Sequence, residues 1–173
     1  MGLFGKLLGL RPRKHILSEQ EKRLVYESSV RYATVEIEGR SRLKIINESL
    51  SIIDKTKNLD TLNSRYETVC EHMKWMMEND IKLNHESACV AKQKVDDNKN
   101  ENIIRIACDA FDIYEAKFGT LKTEKAKDNA TVKMFKLLDD CISSIVDSEN
   151  KVLKRKILIV LKNNCLYTHL RAH

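Results

Sequence analysis

The chain has almost no punctuation. One proline (Pro12) and five glycines serve 173 residues, and three of those glycines (Gly2, Gly5, Gly9) fall in the first nine positions. Only Gly39 and Gly119 remain beyond Pro12 to supply turns that need positive φ. Sheet proteins use glycine and proline freely at hairpins and crossovers, so this poverty excludes a strand-rich fold and leaves long helices with few connections. Long apolar runs are missing as well: no stretch reaches the roughly 18 residues that a membrane span needs. A small-x-small cleavage site is missing from the N-terminus, which argues against a secretory signal. The five cysteines (Cys70, Cys89, Cys108, Cys141, Cys165) are odd in number and form no C-x-x-C. A disulfide framework is therefore not expected, and free thiols in a reducing cytosol are.

Catalytic signatures are missing too. There is no glycine-rich phosphate loop, no G-x-S-x-G and no H-E-x-x-H. The cysteines sit within apolar stripes rather than at turns or helix N-termini, where a nucleophilic thiol is activated. Cys70, His72, His85 and Cys89 hold zinc-ligand chemistry, but Cys70 and His72 are two apart and point about 200° away from each other on a helix. The expectation is a non-enzymatic protein with no catalytic residues, no metal and no cofactor.

What is present is periodicity. Ser18 followed by Glu21 forms a capping box, with Leu17 placed as a staple, and opens a helix. Val25, Tyr32, Val35, Leu43, Ile46, Leu50 and Ile53 then recur at helical spacing and predict one buried stripe, with Gly39 either weakening this helix or dividing it. The next helix is expected to be capped by Asp60 or Thr61 and carries Leu62, Tyr66, Val69, Met73 and Met76 on one face. Residues 96–102, DDNKNEN, contain no apolar side chain and read as a turn. Ile103 to Phe118 form another stripe, closed by Gly119 as a C′ residue. Residues 120–129 are polar, and Met134, Leu138, Cys141 and Ile145 mark the next helix. In the last segment ILIVL resembles a buried strand, but its charged flanks favour helix.

The 25-residue segment IIDKTKNLDTLNSRYETVCEHMKWM resembles a helical segment of small bacterial proteins, which implies helix and no particular activity. The fold class expected is all-α: a bundle of five to six helices with an amphipathic N-terminal appendage. Residues 1–15 would be that appendage and 16–173 a single helical domain, with Ile46, Val69, Phe111 and Leu138 at the centres of their stripes and so buried.

Charge is unevenly placed. The net charge is +6, yet residues 1–15 hold Lys6, Arg11, Arg13 and Lys14 with no acid, and residues 149–173 hold six bases against Glu149. The body between them is mildly acidic. Wound as a helix, Leu3, Phe4, Leu7, Leu8 and Leu10 fall within roughly 160° of arc, and Arg11, Arg13 and Lys14 follow at once. An apolar face with a basic collar suits an anionic membrane surface or a protein groove. Lys6 stands where a myristoylation motif needs Ser or Thr. Trp75 lies off its helix's stripe and is a candidate partner anchor. Lys154, Arg155 and Lys156 form a candidate basic patch without interleaved aromatics. The function expected is a cytoplasmic helical interaction module with a protein partner, peripheral to the inner face of the membrane through its N-terminus. The alternative is a nucleic-acid-associated regulator that uses the basic ends.

Overall fold

The computed structural model describes residues 18–79 and 85–171, with side chains in the second stretch described from Cys89 onward. The predicted appendage, including Leu3, Phe4, Leu7, Leu8, Leu10, Arg11, Arg13 and Lys14, lies outside the described residues, as does the staple at Leu17. Among those described, all regular structure is helical: α1 (Glu19–Lys55), α2 (Leu59–Glu78), α3 (His85–Phe118), α4 (Glu124–Ser144) and α5 (Lys151–Leu170). The fold is an all-α bundle, as the scarcity of glycine and proline predicts.

Local chemistry sets the helix starts. The backbone N–H of Ser18 donates to Glu21 Oε2 at 2.7 Å, and that of Glu21 donates to Ser18 Oγ at 3.2 Å. The Ser18 backbone N–H, helped by the Ser18 hydroxyl, stabilises the ionised side chain and pulls the Glu21 carboxyl below its ordinary value. α2 is capped by Asn58, whose Oδ1 accepts from the Thr61 N–H at 2.8 Å; the expected caps Asp60 and Thr61 are one and two residues inside the helix. α4 starts at Glu124, ten residues before the first strong apolar position, because Thr123 Oγ1 accepts from the Ala126 N–H at 3.2 Å. The polar run 124–129 is therefore the opening of a helix and not a loop. ILIVL is helical, within α5.

Packing divides the chain inside α1, into residues 1–38 and 39–173. In the first unit the helix from Glu19 to Glu38 buries no side chain, and Leu24, Val25, Tyr26, Val30, Tyr32 and Ile37 are all exposed. In the second unit α1 includes Gly39, which is buried, and buries Ile46, Ser49 and Ile53. Of the predicted stripe, Ile46 and Ile53 are buried and Leu50 is half-buried, whereas Val25, Tyr32 and also Leu43, beyond Gly39, are exposed.

Within the second unit α3 is the hub, packed against α2, α4 and α5, and α4 also packs on α5. Ile46, Val69, Phe111 and Leu138 are all buried in one cluster, as their central positions predict. At the C-terminal end of α3 an aromatic row runs from Phe111 to Tyr114 (ring centroids 6.1 Å apart) and on to Phe118 (5.2 Å), which meets His169 of α5 edge-on. Tyr114 Oη and Thr131 Oγ1, 3.0 Å apart, join that row to α4. α3 ends at Phe118, and Gly119 follows without a left-handed φ, so no special backbone geometry requires glycine there.

The predicted turn at 96–102 does not exist. Those residues lie in the middle of α3, and Asp96, Lys99, Asn100 and Asn102 are buried. They belong inside because other elements satisfy them. Asn100, fully buried, uses its whole amide: Oδ1 accepts from the Val146 N–H (3.0 Å), while Nδ2 donates to the Val146 carbonyl (3.1 Å) and to Ser148 Oγ (3.0 Å). It holds the α4–α5 connection as a neighbouring backbone strand would. Asn102 Nδ2 donates to the Asn98 carbonyl, and its Oδ1 accepts from Arg105, whose Nη2 donates to the Thr56 carbonyl at 2.8 Å; Asn98 Nδ2 donates to Asp54 Oδ1 at 2.9 Å. This second set ties α3 to the α1–α2 connection.

Two outcomes follow. Replacing Asn100→Ala leaves the half-buried Val146 amide and carbonyl without this partner and should cost about 1–3 kcal/mol in urea unfolding; a cost under about 0.5 kcal/mol would show that the connection does not depend on it. A Cβ at Gly119 would meet no atom within 4 Å, so Gly119→Ala should stabilise by about 0.4–1 kcal/mol through the unfolded state, read in the same titration.

Candidate functional site

The densest cluster of chemically able side chains lies between α2 and α3. Tyr66 of α2 donates its hydroxyl proton to Asp96 Oδ1 at 2.7 Å. Lys92, one turn before Asp96 on α3, donates to Tyr66 Oη at 3.0 Å and forms an ion pair with Asp96. Lys99 lies one turn beyond, with Nζ 4.1 Å from the Tyr66 ring centroid. Burial pushes the Tyr66 phenol up, and the bond to Asp96 adds to this, so the phenol stays protonated. Burial pulls the Lys99 ammonium down from its ordinary value, against the raising influence of Cys70, Glu67 and Asp96. Beside this cluster opens a cleft of about 520 Å³, with Cys70, Met73 and Met77 from α2 facing Cys89, Lys92 and Gln93 from α3. Gln93 Nε2 is buried there with no hydrogen-bond partner.

Tyr66, Lys92 and Asp96 bond to one another across the two elements, which makes the cluster a clamp between α2 and α3. The thiols elsewhere are subdued. Burial pushes Cys141 up to about 12, with Asp140 adding to it, and also raises Cys108 and Cys165; such thiols are poor nucleophiles near neutrality. None of the five cysteines is in a disulfide. Of the zinc-type residues, Cys70 and Cys89 line the cleft, whereas His72 does not and lies with Nδ1 3.0 Å from Arg42 Nη1. Among the described residues no three His, Cys, Asp or Glu side chains gather to hold a metal ion.

Trp75 is half-buried against the core, with the Arg42 guanidinium 4.2 Å above its ring centroid. Its face is occupied by a cation–π contact within the bundle. The three residues of the candidate basic patch, Lys154, Arg155 and Lys156, do not share one surface. Lys154 turns inward to Glu101 (3.8 Å, side chain 18% exposed), while Arg155 and Lys156 are exposed. α5 also exposes Val152, Leu153, Ile159, Val160, Leu166, Tyr167 and Leu170, an outward apolar surface concealed in the sequence because ILIVL places apolar residues on most sides of the helix. No helix among the described residues is long and apolar enough to cross a membrane. Compared with known proteins, the chain matches no family model, no curated protein and no solved structure.

The clamp yields a pH-dependent outcome. A lysine whose folded value lies below its unfolded one binds fewer protons in the fold, so stability rises with pH between the two values. Lys99→Met should unfold at an equal or higher urea concentration than the parent at neutral pH, and the parent should close that gap as pH climbs towards 10.5. A loss of more than about 2 kcal/mol in the variant would instead mark the ammonium as a required partner.

Proposed function

We propose that this protein is a non-enzymatic helical interaction module, with residues 19–38 as its element for a protein partner and residues 3–14 holding it at an anionic membrane surface. One observation carries the reading: a helix of about 20 residues with six large apolar side chains exposed. Single exposed apolar residues are ordinary, but a concentration of this kind marks a surface that another molecule covers. Five of the six, all but Leu24, fall into two rows at helical spacing, which smaller residues and Val35 complete. Val25, Ser28, Tyr32 and Val35 form one; Tyr26, Val30, Ala33 and Ile37 form the other. Each is a narrow seam of the kind a partner helix fills. Tyr26 and Tyr32 suit such a role, since tyrosine concentrates interface energy at low entropic cost. The alternative, a nucleic-acid-associated regulator, would use the basic ends; at the C-terminal end Arg155 and Lys156 are exposed while Lys154 is turned to Glu101.

A photo-crosslinking amino acid at Tyr26 or Tyr32, introduced in the native host, should yield a discrete protein adduct. The same probe at the exposed polar position Lys125 should yield none. Equal patterns at all three positions would defeat the partner reading. The membrane part is tested separately: Phe4→Glu or Leu7→Glu should weaken sedimentation with anionic vesicles and leave the adducts at Tyr26 and Tyr32 unchanged in identity.

A further inference from the structure

The outward face of α5 combines two properties that the bundle does not require. α5 has 20 residues and no acid at all, against five bases: Lys151, Lys154, Arg155, Lys156 and Lys162. Those bases are sorted by direction. Lys151 pairs with Asp147 (3.2 Å), Lys154 with Glu101 (3.8 Å) and Lys162 with Asp139 (2.6 Å), so the inward-turned ammonium groups absorb the acids of the neighbouring elements. Arg155 and Lys156 have no acidic partner among the described residues and face solvent. Between and beyond them Val152, Ile159, Val160, Leu166, Tyr167 and Leu170 recur at three, four and seven, over the length of a helix about 30 Å long. Their exposures run from 44% for Leu166 to 65% for Val152 and Tyr167. Lys156 and Asn163 are the only polar residues in this stripe.

We infer that this face of α5 lies against an anionic lipid surface and gives the protein a second membrane contact. Charge complementarity selects that occupant. A helix that is cationic and acid-free outward, with a continuous apolar stripe, is matched by a plane of anionic headgroups over acyl chains. Lys156 reaches the headgroups by its long stem while its methylenes cover apolar surface, and Tyr167 places a ring at the boundary with its hydroxyl in water. The inference rests on the membrane part of the proposed function but uses different residues from those at the N-terminus.

The test is sedimentation of full-length protein with vesicles rich in phosphatidylglycerol, or of phosphatidylcholine alone, at low and at physiological salt. Phe4→Glu should leave residual binding to the anionic vesicles. Adding Ile159→Glu should lower that residue about tenfold or more, as expected for losing a buried apolar anchor. Arg155→Glu with Lys156→Glu should weaken anionic binding and flatten its dependence on salt. Arg155, Lys156 and Ile159 are exposed, and unchanged helical content and melting of each variant confirm intact folding. If the parent binds while Phe4→Glu abolishes binding and Ile159→Glu does not alter it, the α5 contact is overturned and the N-terminal one stands. If the parent ignores anionic vesicles even at low salt, the membrane reading itself falls. If Ile159→Glu instead converts a soluble dimer to a monomer with vesicle binding unchanged, a second copy covers this face and the lipid proposal is overturned.

Discussion

A single carboxamide at the centre of α3 sets the conditions for the rest of the bundle. Asn100 is fully buried, and a buried amide is tolerated only where its donors and its acceptor are all met. Val146 and Ser148 meet them, which fixes the connection between α4 and α5 against the middle of α3. Because α4 and α5 pack on each other as well as on α3, fixing their connection fixes the pair as a unit. Four residues earlier Asp96 does the same for α2 through Tyr66, and two residues later Asn102 and Arg105 do it for the end of α1. Apolar burial supplies most of the driving force but tolerates many arrangements. The polar belt is directional, and a shift of one helix by one turn would leave it unmatched.

That belt is also where sequence reasoning and structure part. DDNKNEN has the composition of a turn, and nothing within those seven residues says otherwise. Its partners are Tyr66, 30 positions before Asp96, and Val146, 46 positions after Asn100. A local window has no access to either, and a buried polar residue reads as an exposed one until its partner is known. The start of α4 was hidden for a related reason: Thr123 with Ala126 and Glu124 is a legible cap, but without apolar residues the first two turns look like loop. What was legible was long-range and coarse. Low glycine and proline content foretold helices, and the stripes through Val69, Phe111 and Leu138 gave the inward faces correctly.

The stripe of α1 teaches a different lesson. Val25, Ser28, Tyr32, Val35, Gly39, Arg42, Ile46, Ser49 and Ile53 follow one another at alternating spacings of three and four without a break. Periodicity of that kind reports that a helix face avoids water, but it carries no information on which molecule provides the cover. From Gly39 onward the cover comes from this chain, and the residues there include glycine and serine, which permit close approach. Before Gly39 the same face carries larger side chains in the open. A sequence that had no further use for those residues could replace them with charged ones at a gain in solubility.

The same reasoning applies to α5, where charge adds what periodicity cannot. Its inward bases are neutralised by Asp147, Glu101 and Asp139, so the bundle's own electrostatics are satisfied without Arg155 and Lys156. The two outward cations add to the repulsion within an already basic helix, a cost that falls only when something anionic approaches. An apolar stripe alone would fit many partners, and exposed cations alone would bind any polyanion weakly. Together on one acid-free helix they narrow the field to a surface that is negative outside and apolar beneath. That description does not fit the solvated exterior of an ordinary folded protein, and nucleic acid, which is anionic but offers no apolar layer to a helix lying along its backbone, leaves the stripe uncovered.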